Sequence, residues 1–242
     1  MHKTAHVDIG IIGAMQIEVE TLCAAMTDAT VEEISGIRFV CGTLRGKRVV
    51  CAKCGIGKVF AAACAEAMIL RYAPRVVINS GVAGSLSTLS IGQIAIANEV
   101  LQHDMDTTPF GDPAGLISGL DLVYIPTDPA VTSLLADCVR AEGGTCLCGT
   151  IASGDRFVAS AAEKERILSL FDSEGHPVLA CEMEGAAVGQ VCYINRVPYS
   201  VLRAISDGGD ENAAFADYPT FLATAAETAA RVMLRFTELW EG

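Results

Sequence analysis

One pattern recurs along this 242-residue chain: a short apolar run rich in β-formers, then a loop of glycines or acids, then an alanine-rich run at helical spacing. "HVDIGIIGAM" reads as a buried strand ending in a glycine turn, and "QIEVETLCAAM" follows with Ile17, Val19, Leu22 and Met26 near one helical face. "GIGKVFAAACAEAMILRYAP" starts at a glycine turn and runs as a helix to Pro74, after which "RVVINSGVAGSL" is again strand and glycine loop. "GQIAIANEV" and "GTIASGDRFV" read as strands and "SAAEKERILSLF" as an amphipathic helix. "PVLACEMEGAAVGQVCYI" passes from strand to helix, "PYSVLRAISDGGD" from strand to loop, and "YPTFLATAAETAARVMLRFTELW" closes as a long helix. "GIRFVCGTLRGKRVVCAKC" reads as an antiparallel hairpin with its turn over Gly42 to Gly46. Strands apolar on both faces and alternating with helices demand a sheet covered on both sides. The expected fold is α/β: a single domain over residues 1–242, with a central mixed β-sheet flanked by helices on both sides and ligand loops at the strand ends. No linker or internal repeat divides it.

Composition narrows the partners. With 17 Lys plus Arg against 29 Asp plus Glu, the formal net charge is −12, which disfavours nucleic acid and anionic membrane surfaces. Its hydrophobic content of 51% supports a large core, yet no run reaches the length of a membrane span. The apolar stretch near the start is too short for a signal h-region, so a reducing cytoplasm is the expected setting. Most of the ten cysteines sit within apolar runs, where thiols pack as small hydrophobes. Cys51-Ala-Lys-Cys54 has knuckle spacing but lies in a strand with no second pair at metal-site distance, and core packing is expected there too.

Two glycine loops, "CGIGKV" and "SGVAGS", lack the spacing of a Walker or a dinucleotide loop, so tight turns that let backbone approach a small flat ligand account for them. The acids say more. Glu18, Glu184 and Asp207 each follow a buried strand, and such positions converge on one sheet edge. Singly, each has a plain structural role: Glu18 in a first helical turn, Glu182 and Glu184 at a helix start, Asp207 in the "SDGGD" turn. Together they make a site, either acid/base or metal-binding. His103-Asp104-x-Asp106 is the only candidate ligand set, and no paired-ligand spacing supports the three separated carboxylates as metal ligands; acid/base chemistry is the better reading, with no metal or other cofactor.

The segments "GIIGAMQIEVETL", "GIGKV", "VINSGVAGSL", "HDMDTTPFG", "IASGDRF", "CEMEGAAVGQVC" and "VLRAISDGGD" resemble, in order and spacing, the bacterial 5′-methylthioadenosine/S-adenosylhomocysteine nucleosidases of the purine nucleoside phosphorylase superfamily. The resemblance covers roughly residues 8 to 235. It implies hydrolysis of the bond between adenine N9 and ribose C1′, with Asp207 as general acid to the purine, Glu18 activating water and Glu184 gripping the ribose hydroxyls. It further implies Met183 beside the sugar, Arg203 placing the catalytic groups, Ser206 orienting Asp207, and Ile56, Ala83 and Gly84 along the nucleoside. Phe157 would stack on adenine, and the backbone of Phe157 and Val158 would read its edge. Thr107 and Phe110 of a neighbouring subunit would line the 5′-alkylthio pocket, with Phe215 or Tyr218 from the other side, so a homodimer is expected.

The chain departs from the family pattern at Ser85, where a second glycine is common, at Arg156, where alanine or serine is common, and in the shorter segment after Phe110. These changes touch the residues that would set the 5′ preference, so nucleosidases acting on 5′-deoxyadenosine or aminodeoxyfutalosine stay open. A phosphorylase needs a cationic phosphate cradle, whereas the loop after the first strand carries Gln16, Glu18 and Glu20 and no arginine. A non-catalytic nucleoside sensor would lack one of Glu18, Glu184 or Asp207, and all three are present. Lys58 is read as a surface or loop-supporting residue, His103 and Asp104 as loop-organising or interface residues, and Glu182 as a residue whose role the sequence leaves open.

Overall fold

The structure is a computed structural model. It describes residues 6–207 and 214–241, with the side chains of residue 207 and residues 214–219 outside that description. Ten strands form one mixed sheet: β1 (Ile9–Gly13), β2 (Thr27–Ile34), β3 (Ile37–Leu44), β4 (Lys47–Lys53), β5 (Val76–Ser85), β6 (Ile94–Gln102), β7 (Ile125–Pro126), β8 (Cys146–Ser153), β9 (Val178–Glu182) and β10 (Tyr199–Asp207). Six α-helices are described: α1 (Gln16–Ala24), α2 (Lys58–Tyr72), α3 (Pro129–Ala141), α4 (Ala161–Phe171), α5 (Gly185–Asn195) and α6 (Ala214–Leu239).

Strands β1, β4 and β5 alternate between two cores, as continuous apolar runs covered on both faces must. Ile9 and Ile11 of β1, Val49 and Cys51 of β4, and Val76 and Ile78 of β5 face one layer, packed by Val19 and Leu22 of α1, Leu135 and Val139 of α3, and Met233 and Phe236 of α6. Ile12, Val50, Ala52 and Val77 face the other, packed by Cys64 and Met68 of α2 and Ala187 and Cys192 of α5. Helices therefore flank the sheet on both sides, as expected. Both Cys51 and Cys54 are buried in these cores.

The sheet also closes on itself. β5 pairs in parallel with β10, β10 antiparallel with β6, β6 in parallel with β8, β8 in parallel with β9, and β9 returns antiparallel to β5. The closing pairs are Gly84 with Cys181 and Ser85 with Ala180, so the C-terminal ends of β5 and β9 meet.

Some boundaries differ from the sequence reading. The hairpin turn is Arg45-Gly46 alone, and Gly42 lies inside β3, opposite Val49. β8 begins at Cys146 and stops at Ser153, so Gly154 to Val158 form a loop rather than the end of a strand. The final helix starts at Ala214, before Tyr218. β2 and α3 have no counterpart in the sequence reading. β2 is a largely exposed edge strand without apolar alternation, carrying Glu32 and Glu33. α3 had a legible start signal: Asp128 caps the N–H groups of Ala130 and Val131, and Pro129 opens the helix.

Candidate active site

A cavity opens where the C-terminal ends of β1, β5, β8, β9 and β10 come together, beside the loop after β4. Glu18, Met183, Glu184, Phe157, Arg156 and Ser206 line it, with Ala14, Met15, Ile56, Val82, Ala83, Gly84, Val158, Cys181 and Glu182. Nine residues picked from the sequence thus share one cavity: Glu18, Ile56, Ala83, Gly84, Phe157, Val158, Met183, Glu184 and Ser206.

Glu18 stands in the first turn of α1, three residues after Met15. Its Oε2 accepts the N–H groups of Ala14 (2.7 Å) and Met15 (2.8 Å), and its Oε1 accepts that of Val82 (3.1 Å). The first-turn place read for Glu18 holds, and there the carboxylate both caps the start of α1 and ties it to the end of β5. Such close approach needs glycine at 81, because a Cβ there would stand 2.6 Å from Glu18 Oε1. Burial pushes the Glu18 pKa up; Arg203 and the three N–H groups oppose the shift, and the net direction is upward.

Glu184 is the N-cap residue of α5, and its Oε1 accepts the Gly57 N–H (2.9 Å) from the loop before α2. Burial first and the Glu182 charge second lift its carboxyl to about 7, against the opposing pull of Arg203. Both carboxylates are nearly enclosed, at 6% exposure each. Desolvated acids lining a cleft are where proton chemistry is arranged.

Glu182 differs from Glu184 in kind. It accepts the N–H groups of Glu184 (2.9 Å) and Gly185 (2.8 Å), a hydrogen bond from the Ser153 hydroxyl and an ion pair from Arg203. Burial alone would raise its pKa, but the Arg203 charge and these hydrogen bonds win and hold it below the ordinary range. Arg203 is 2% exposed and does not line the cavity; it reaches Glu182, the Asn79 side chain and the backbone oxygens of Asn79 (3.1 Å) and Leu202 (3.0 Å). It therefore lies beneath the carboxylates instead of meeting a ligand directly.

Thr107 and Phe110 do not line this cavity either. They sit on a short 3-10 turn after β6, where Phe110 is 88% exposed. In that loop Asp104 accepts from Lys58 and from the Asp155 N–H, and Asp106 accepts the Thr108 N–H. Asp207 ends β10, its backbone opposite Gly84 after a bulge that puts Ser206 out of register. A bulge re-aims a side chain, and Ser206 faces the cavity with its hydroxyl 3.5 Å from the Ala83 oxygen. The side chains of Asp207, Phe215 and Tyr218 lie outside the described residues.

The sequence reading passed over Ala14, Met15, Val82 and Cys181 as lining residues, and Asn79 as the partner of Arg203. Asn79 did carry a signal, as an amide inside an otherwise apolar strand. The others are apolar, and nothing in their type separates lining from core.

Residues 8–238 match the model of the phosphorylase superfamily. The chain is similar to the 5′-methylthioadenosine/S-adenosylhomocysteine nucleosidase of Shewanella putrefaciens, with 40% identity over 96% of this chain and 99% of that one. Among solved structures, it superposes on the nucleosidase of that name from Neisseria meningitidis, in complex with methylthio-immucillin-A, with a TM-score of 0.90 at 34% identity, covering 96% of this chain and 99% of that one. It also superposes on the futalosine hydrolase of Helicobacter pylori with a TM-score of 0.88 at 34% identity, covering 96% and 98% of the two chains. The fold, the cavity at the strand ends and matches across nearly the whole length agree: this chain belongs to the phosphorylase superfamily and, within it, to the 5′-methylthioadenosine/S-adenosylhomocysteine nucleosidases.

Proposed function

We infer that the protein is an N-glycosyl hydrolase that cleaves 5′-methylthioadenosine and S-adenosylhomocysteine to release adenine. The observation that carries this is the pair of buried carboxylates, Glu18 and Glu184, brought from two strand ends to one cavity. Breaking a nucleosidic bond calls for a proton on the leaving purine, charge stabilisation at the ribose as it becomes oxocarbenium-like, and a water on the opposite face. Glu18 is fixed by three N–H groups and biased toward neutrality by burial, which suits a base that takes the proton of that water. Glu184 accepts from the ribose 2′ and 3′ hydroxyls, and Asp207 donates to purine N7 as the bond to C1′ breaks. The water oxygen then bonds C1′, its proton rests on Glu18, and adenine leaves. Met183, Ile56, Ala83 and Gly84 pack along the nucleoside, and Phe157 and Val158 take the purine end. No resident metal or organic cofactor enters these steps.

Hydrolysis is favoured over phosphorolysis by charge. Among the described residues that line the cavity, Arg156 is the one cation, and it is paired with Glu163 at 2.7 Å. Neither that paired guanidinium nor the two carboxyl groups facing the space supplies the cationic cradle a phosphate needs. The likeness to a futalosine hydrolase supports a second reading, in which another 5′ group is preferred. Incubation with methylthioadenosine in phosphate-free buffer should yield free adenine; turnover that appears only with phosphate, or only with a different 5′ group, overturns the first reading.

The working form is a homodimer. Phe110, Val59, Phe60, Ile56 and Phe157 are exposed, Ile56 and Phe157 at the cavity itself, and the shielded Thr107 hydroxyl has no hydrogen-bond partner among the described residues. A second subunit covering that apolar rim would complete the 5′ end of the pocket with Thr107 and Phe110.

A further inference from the structure

Lys58 opens α2, where local energetics disfavours it. A cation in the first turn opposes the helix dipole, and α2 has neither an acid in that turn nor a side-chain cap on its own N-cap residue. Its side chain is nonetheless withdrawn from water, at 17% exposure, and its Nζ meets Asp104 Oδ1 at 2.5 Å and Gln102 Oε1 at 3.1 Å. The Lys58 backbone N–H goes to Asp155 Oδ1 (2.8 Å), and the Asp155 N–H goes to the other oxygen of Asp104, also at 2.8 Å. Gln102 continues to Gln190 of α5 (2.7 Å). The residue just before Lys58 is Gly57, whose N–H holds Glu184. Gly57 has φ of 102°, and a Cβ there would stand 3.2 Å from Asp155 Oδ1, so the loops are seated closely.

We propose that Lys58 is a positioning residue, its ammonium and backbone locking together the loops after β4, β6 and β8 so that Gly57 is held against Glu184 and Phe157 and Val158 are held at the purine end. It touches no reacting atom and acts through Glu184 and the Asp155–Val158 loop. The catalytic part of this rests on the hydrolase reading above. The mechanical part does not.

The test compares wild type with K58M, K58R, D104N and the double variant K58M/D104N. Amide exchange over residues 54–60, 103–110 and 154–160 should accelerate about tenfold in K58M without loss of global stability, since the bonds broken are local. On methylthioadenosine, K58M should lose about tenfold to a hundredfold in kcat/KM, the scale of mispositioned site groups. Its acid limb should move to higher pH, because a loosened Gly57 N–H no longer favours ionised Glu184. K58R should recover part of both, and K58M/D104N should be no worse than K58M. Unchanged exchange, or kcat/KM within about twofold of wild type beside faster exchange, overturns the proposal. A wild type that releases no adenine but whose K58M variant still exchanges faster removes the hydrolase reading and leaves the clamp standing.

Discussion

Burial and the neighbouring Glu182 lift the Glu184 carboxyl to about 7, whereas the same group ionises near 4.5 in an unfolded chain. Below about pH 4.5 it is protonated in both states and has no effect on stability; as the pH rises toward 7 the unfolded chain alone releases the proton, and the fold loses about 3 kcal/mol. Glu184→Gln is therefore expected to melt about 5 °C above wild type at pH 8 and to converge with it near pH 4.5. Equal melting temperatures at both pH values would contradict the assignment, and the variant should lose activity while gaining stability. Glu18→Gln leaves one acceptor oxygen for three N–H donors, and it removes the base. Adenine release should vanish in Glu18→Gln and in Asp207→Asn while circular dichroism stays native, and near-normal turnover in either would sink its proposed role.

Between elements, the Glu182–Arg203 pair joins β9 to β10 and, through Asn79, to β5. Arg203 is charged and buried, so removing its partner charge leaves it uncompensated. Glu182→Gln should lower unfolding free energy by about 3 kcal/mol, read from urea transitions, with the adenine-releasing activity falling as the β9–α5 turn loosens. A transition superimposable on that of wild type would show that the pair does not hold these strands. The role of Glu182, which the sequence left open, resolves here. The Glu182 carboxylate is taken up by Arg203 and the N–H groups that start α5, while Glu184, at the N-cap position, makes no side-chain cap and reaches across to the Gly57 N–H beside the cavity.

For the whole molecule, sedimentation should give a dimer, and Phe110→Asp should shift it toward monomer with KM raised at least about tenfold through loss of the shared rim. A fully active monomer would contradict the shared pocket. The sequence alone carried the strand-loop-helix alternation, the two-sided burial and the identity of Glu18, Glu184 and Asp207 as acids following strands, because apolar period and loop chemistry are local properties written residue by residue. Edge strand β2, outside the apolar pattern, escaped it, as did α3 despite its Asp-Pro start. Tertiary structure decided the ring closure, in which Gly84 of β5 meets Cys181 of β9 and brings oppositely running strand ends to one cavity. It also decided that Arg203 lies under the site, that Glu182 supports while Glu184 faces the cavity, and that Lys58 joins three loops. Those outcomes depend on pairing between residues up to 127 positions apart, such as Gly57 with Glu184, and only packing selects such partners.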